Sequence, residues 1–181
     1  GALCAEELVL LNCNPPDLDV VISSLKDAGV PIKVGKRSLT IHGNTKKNSE
    51  FRGFNIKTHE YPGFPTDLQA PSTIFLTQAT GESSIFETIF EGRLNYSEDL
   101  VRMGAAIELW NPHQMVIEGP RTLYGKELDG PDIRAGLAYL IAALVAKGDS
   151  GINNVHHIDR GYERIEERLS ALGASIERLS M

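Results

Sequence analysis

Cysteine is scarce in this 181-residue chain, which has only Cys4 and Cys13. Without the close spacing of a zinc or redox motif, two thiols neither build a metal knuckle nor staple a small scaffold, and no disulfide is expected. Long apolar runs are also missing. The most hydrophobic stretch, Ala135 to Ala146, falls short of the ~20 residues that cross a bilayer. Arg134 and Lys147 bracket it, so it predicts a buried helix and no membrane span. Positive charge is in deficit, with 18 Lys and Arg against 24 Asp and Glu, a net charge of −6 and a pI near 5.4. That balance argues against a nucleic-acid partner, whose affinity comes from clustered cations displacing counterions. No charged start leads into an apolar stretch and a small-residue cleavage site, so a cytoplasmic location is expected. The chain opens on Gly1, which fits a piece of a longer protein. What is present is 41% hydrophobic residues, and a domain of this size removes roughly 70% of its unfolded surface from water, enough for one sizeable core.

The hydrophobic residues are organised in a repeat. Leu25-x-x-x-Gly29-x-x-Ile32, Leu100-x-x-x-Gly104-x-x-Ile107 and Leu169-x-x-x-Gly173-x-x-Ile176 recur at intervals of about seventy residues. Before each Gly lies one helical stripe: Val21, Leu25, Ala28; Tyr96, Leu100, Met103; Ile165, Leu169, Leu172. Each helix should stop at its Gly in a left-handed cap, with a strand starting at the Ile. Between these helices, Thr66-Asp67 and Pro131-Asp132 open apolar stretches that end at Gly81 and Gly148, an entry suited to the positive helix N-terminus. Short strands follow around Ser84-Ile85 and Ile152-Asn153, and a strand pair joins Ala106–Leu109 to Met115–Glu118.

The unit is βαβαββ-like, and the fold class is α/β (α+β). The first copy is incomplete, with a strand at Leu8–Leu11 and an outer helix at Val20–Ala28. Three such units over residues 1–181, with boundaries near 1–43, 44–119 and 120–181, are expected to close around a pseudo-threefold axis instead of stacking as a solenoid. Ala135–Ala146, apolar all round, should be covered on every side, with Leu140 and Leu144 out of water, and Leu68–Ala79 only partly. The charged segment Asn44–Phe54 reads as a surface connection.

Three places carry candidate chemistry. Tyr61-Pro-Gly-Phe-Pro-Thr-Asp67 sets two prolines and a glycine before a helix start, an extended approach with Asp67 in the first turn. Asp67 is either a carboxylate complementing the helix dipole or an acceptor and general base for a substrate hydroxyl. Arg93 and Arg160 each precede an amphipathic helix at corresponding ends of two units. They either form an anion site for phosphate or carboxylate, or pair locally with Glu87, Glu91 or Asp159. His156 and His157, read as neighbours on a strand, would face opposite ways and not share a metal. No cofactor is expected.

Pro65-Thr-Asp-Leu-Gln69, Ile85-Phe-Glu-Thr-Ile-Phe-Glu-Gly-Arg93, Asp132-Ile-Arg-Ala135 and His157-Ile-Asp-Arg-Gly-Tyr-Glu-Arg-Ile165 together resemble the C-terminal part of the UDP-N-acetylglucosamine enolpyruvyl transferase family, within the EPSP synthase-like superfamily. The resemblance runs over essentially the whole chain. It implies a cytoplasmic enzyme moving the enolpyruvyl group of phosphoenolpyruvate to the 3-hydroxyl of UDP-N-acetylglucosamine, the committed step of peptidoglycan synthesis and hence of cell-wall growth, shape and division. The fold it implies is two inside-out α/β barrels of three repeats each, with the site between them. By the same resemblance Asp67 contacts the sugar hydroxyl and takes its proton. The Ile89 carbonyl contacts the UDP-sugar, and Arg160 binds phosphoenolpyruvate. Arg93, Asp132 and Arg134 are charged cleft positions.

The sequence departs from the family at Gly92-Arg93-Leu94, where Asn-Arg-Phe is common. The family's Lys-Asn pair and reactive cysteine lie in the N-terminal domain, which would be this chain's partner. Cys4 and Cys13 do not match that cysteine. The alternatives are the shikimate-pathway enolpyruvyl transferase and a non-catalytic three-repeat interaction module.

Overall fold

The computed structural model describes residues 1–43 and 51–179. Strand β1 (Glu7–Leu11) leads through a 3-10 turn at Pro15–Leu18 into helix α1 (Asp19–Asp27), followed by β2 (Ile32–Val34) and β3 (Ser38–His42). β3 is the centre of this sheet, antiparallel to β1 with Leu10 opposite Leu39 and to β2 with Ile32 opposite Ile41. The second group is β4 (Ile56–Lys57), α2 (Thr66–Gln78), β5 (Gly81–Phe86), α3 (Ser97–Arg102), β6 (Ala106–Asn111) and β7 (Gln114–Gly119). Its strand order is β4-β5-β7-β6, with β4 parallel to β5 and the other pairs antiparallel. The third group is β8 (Glu127–Asp129), α4 (Ile133–Val145), β9 (Gly151–Asn153), α5 (His156–Asp159) and α6 (Ile165–Ala171), with β8 and β9 parallel. Parallel neighbours need a crossover, and α2 and α4 supply it in their respective groups. The protein is a mixed helix and strand fold, and among the described residues its three sheets do not join into a closed barrel.

The glycine caps are where the repeat places them. Gly29, Gly104 and Gly173 follow α1, α3 and α6 at φ of +93°, +108° and +95°, a region costly for any residue with a Cβ. α2 and α4 end in matching fashion, each leaving the helix through an extended alanine, Ala79 or Ala146, before a glycine at positive φ, Gly81 or Gly148. The strands expected at Ile32 and Ile107 form. No strand forms at Ile176, because a strand is stable only with a ladder partner for its N–H and C=O groups, and residues 174–179 have none. For a related reason the outer stripe is buried in α3, where Tyr96, Leu100 and Met103 pack against the β6–β7 side, while α6 has no buried residue.

The core is centred on α2 against α4, with Ile74, Leu76, Ala138 and Ala142 fully buried, and Ile85, Met115 and Ile117 of β5 and β7 alongside. The expected ranking of the two helices is reversed. Leu140 is buried, but Leu144 and Ile141 are only half-buried, whereas α2 is the more enclosed helix. Apolarity misled because α2 buries hydroxyls at little cost: Thr73 Oγ1 donates to the Gln69 carbonyl at 3.0 Å and Thr77 Oγ1 to that of Ile74 at 2.8 Å. α4 packs on α2 along one side, and among the described residues its remaining neighbours are the short helix α5 and strand β9, which leave Ile141, Leu144 and Val145 half-buried.

Of the segment read as a surface connection, residues 44–50 lie outside the described residues. Its end is anchored, with Phe51 buried and its ring stacked 5.4 Å from that of Phe75.

Candidate active site

The approach to α2 is a turn and not an extended run. The Gly63 N–H donates to the Glu60 carbonyl at 2.8 Å and that of His59 to the Phe64 carbonyl at 2.9 Å. Burial of the Phe64 side chain pins this turn, and Pro65 enters the helix in an extended conformation that puts Asp67 in the first turn. Asp132 plays a different part at α4. It is the N-cap itself, accepting from the backbone N–H of Arg134 at 2.7 Å and of Ala135 at 3.1 Å. With α2 and α4 packed together, Arg134 reaches across so that its Nε donates to Asp67 Oδ1 at 2.5 Å. Arg93 Nη1 donates to the same oxygen at 3.2 Å and to Thr66 Oγ1 at 2.7 Å, while the guanidinium lies 3.8 Å over the Phe90 ring.

Arg134's hydrogen bond, then the charges of Arg134 and Arg93, hold the Asp67 carboxyl below the usual aspartate range despite partial burial. Both arginines act on Oδ1, and Oδ2 has no hydrogen bond among the described residues. That arrangement presents a charged acceptor oxygen to a ligand hydroxyl.

Ile89 joins Asp67 on the wall of a shallow pocket of about 200 Å³ beneath the 59–61 turn. Its N–H is taken by Glu87 Oε1 at 2.9 Å. Tyr162 lies half-buried, its hydroxyl pushed up in pKa first by burial and then by the charge of Asp67. The site thus draws Asp67, Arg93 and Arg134 into contact, with Asp132 one hydrogen bond away and Ile89 on the same pocket.

Arg160 is exposed and makes no hydrogen bond or ion pair through its side chain among the described residues. None of the local pairings considered for the arginines forms among the described residues. Arg93 pairs with Asp67, because Glu87 is fully enclosed by other donors. Asp159 is taken by Arg178, whose Nη1 and Nη2 donate to it at 2.9 and 2.7 Å. His156 and His157 are not on a strand: they stand in the helical turn α5 with ring centroids 4.1 Å apart. Gly92 has a φ of +75°, a left-handed conformation that asparagine adopts more often than other residues with a Cβ, and Leu94 is fully buried. Thr66, Glu87 and Tyr162 were missed as site residues. Only the position of Glu87 between a strand and Arg93 hinted at a role.

Residues 1–169 match the family model described as EPSP synthase (3-phosphoshikimate 1-carboxyvinyltransferase). The chain is 44% identical over 172 residues to the UDP-N-acetylglucosamine 1-carboxyvinyltransferase of Elusimicrobium minutum, covering 95% of this chain and 40% of the relative. It is 39% identical over 181 residues to the enzyme of the same name from Klebsiella pneumoniae, covering 99% and 42%. The chain therefore spans about two fifths of the length of these curated relatives. Among solved structures, the enolpyruvyl transferase NikO from Streptomyces tendae superposes with a TM-score of 0.88 at 28% identity, over 98% of this chain and 41% of that one. EPSP synthase from Acinetobacter baumannii superposes with a TM-score of 0.60 at 18% identity over 84% and 36%, a likeness of fold.

Proposed function

The chain belongs to the EPSP synthase family, and from that premise we propose that it forms one wall of an enzyme transferring the enolpyruvyl group of phosphoenolpyruvate to the 3-hydroxyl of UDP-N-acetylglucosamine. The observation that carries this reading is Asp67, held at Oδ1 by Arg134 and Arg93 with Oδ2 open beside Ile89. The transfer forms a bond between the acceptor oxygen and C2 of phosphoenolpyruvate, breaks the bond from C2 to the phosphate oxygen, and requires the hydroxyl proton to be taken up. Asp67 accepts and orients that hydroxyl and is the base nearest its proton. Its depressed proton affinity suits the orienting role and makes proton uptake dependent on the charge changing around it as the site closes. The Ile89 carbonyl fixes the UDP-sugar. Arg93 and the exposed Arg160 supply positive charge for the anionic substrates, and Asp132 and Arg134 hold the α4 end of the cleft in register.

The acceptor is favoured over shikimate 3-phosphate by relatives at 38–44% identity that carry the UDP-N-acetylglucosamine name, against 18% for the EPSP synthase structure. Names of enzymes throughout that set also weigh against a non-catalytic module. In the same reading, the three groups are the repeats of one inside-out barrel spanning 1–181. A second, N-terminal domain supplies the opposite wall, and the enzyme works in the cytoplasm at the committed step of peptidoglycan synthesis. No described helix is long and apolar enough to cross a membrane. Phosphate release by the full-length protein, with phosphoenolpyruvate and either acceptor, tests the proposal: turnover with UDP-N-acetylglucosamine is expected, and turnover with shikimate 3-phosphate alone overturns it.

A further inference from the structure

Glu87 is the one fully buried acidic side chain among the described residues, at 0% exposure, and it sits directly behind the site. Four donors converge on its carboxylate. Thr58 Oγ1 (3.0 Å) and the backbone N–H groups of Ile89 (2.9 Å) and Phe90 (3.2 Å) reach Oε1, and Thr66 Oγ1 (2.7 Å) reaches Oε2. A buried carboxylate is costly unless its lone pairs are satisfied, and here they are. The donors serve two ends. Thr66 spends its one hydrogen on Glu87, so its oxygen is left as an acceptor, and Arg93 Nη1 docks on it at 2.7 Å. The captured N–H groups hold the 88–90 turn, which puts the Phe90 ring under the same guanidinium at 3.8 Å and Ile89 on the pocket wall. Arg93 is therefore held from two sides by groups that both end on Glu87.

We propose that Glu87 is a positioning residue, acting through the Thr66 hydroxyl and the 88–90 turn to set Arg93 against Asp67 and Ile89 against the acceptor. The proposal rests on the reading of Asp67 as the acceptor-binding carboxylate. A glutamine at 87 would aim an N–H at Thr66, reversing the hydroxyl on which Arg93 docks, while keeping the size of the side chain.

The test uses the full-length protein and the variants Glu87→Gln, Thr66→Val and Thr66→Ser, with steady-state kinetics, melting temperature and the carboxyl-carbon NMR titration of Asp67. Glu87→Gln and Thr66→Val should each lower kcat by about ten- to a hundredfold, the scale of a misplaced catalytic geometry. Thr66→Ser should restore kcat to within about threefold, since it keeps the hydroxyl. In both damaging variants the Asp67 titration should move up toward the ordinary aspartate value as Arg93 drifts away. Kinetics within twofold of wild type for Glu87→Gln, a Thr66→Val loss that Thr66→Ser does not repair, or an unmoved Asp67 titration would each overturn the proposal. If Glu87→Gln does not fold, the Thr66 pair decides alone. If the wild type uses only another acceptor, the assignment of UDP-N-acetylglucosamine fails, and the Asp67 titration still decides the role of Glu87.

Discussion

Arg134 Nε stands 2.5 Å from Asp67 Oδ1, although the two residues are 67 apart in the chain. The contact joins the first turn of one crossover helix to the first turn of the next, so the site is assembled at the ends of the two helices whose packing makes the core. Stability and site geometry are coupled through that packing.

Replacement of Asp67 by asparagine in the full-length protein should lower turnover by roughly a hundredfold or more, the scale of a lost general base. The side chain is 62% exposed, so the melting temperature should change little. Phosphate-release kinetics beside a thermal melt give both numbers, and turnover within a few-fold of wild type would reduce Asp67 to a helix-terminal charge.

The pairing of Asp67 with Arg134 and Arg93 has a defined pH window. Its folded-state pKa lies below the ordinary value of 3.8, so its contribution to stability is complete above that value and is lost as the pH falls through the folded pKa. Urea unfolding of wild type and Arg134→Gln should show a constant difference from pH 5 to 8 that shrinks in acid. A gap that widens in acid would contradict the pairing.

Core contributions should follow burial and not apolarity of sequence. Ile74→Ala, in the fully buried α2 face, should cost about 2–5 kcal/mol, and Leu144→Ala, half-buried on α4, distinctly less. Denaturant midpoints of the two variants measure the order, and a larger loss at Leu144 would mean that α4 is covered by something beyond the described residues.

The 181-residue chain by itself should have no measurable transferase activity, because orienting two anionic substrates and excluding water needs both walls of a cleft. The groove of about 790 Å³ beside α1, with Val21, Val34 and Leu68 on its walls, should also make it self-associate. Phosphate release by the purified chain, and its gain on adding the N-terminal half in trans, check the first expectation. Sedimentation checks the second.

Local chemistry determined much of this protein in advance. The three Leu-x-x-x-Gly stripes stop their helices at glycines of positive φ, the Pro65–Asp67 entry starts α2, and the Ala106–Leu109 and Met115–Glu118 segments pair, because each depends on a few neighbouring residues. Asp67 and Arg93 were legible as candidate residues for the same reason, and Arg134 only through the resemblance that the Asp132-Ile-Arg-Ala135 motif carries. Their grouping was not, since it needed α2 and α4 to pack with their first turns adjacent. The burial of Glu87, the hiding of hydroxyls along α2 and the failure of a strand at Ile176 were likewise decided only in three dimensions. Whether a polar group is satisfied, or a strand has a partner, depends on residues far away in the chain, and periodicity along a single segment carries no record of them.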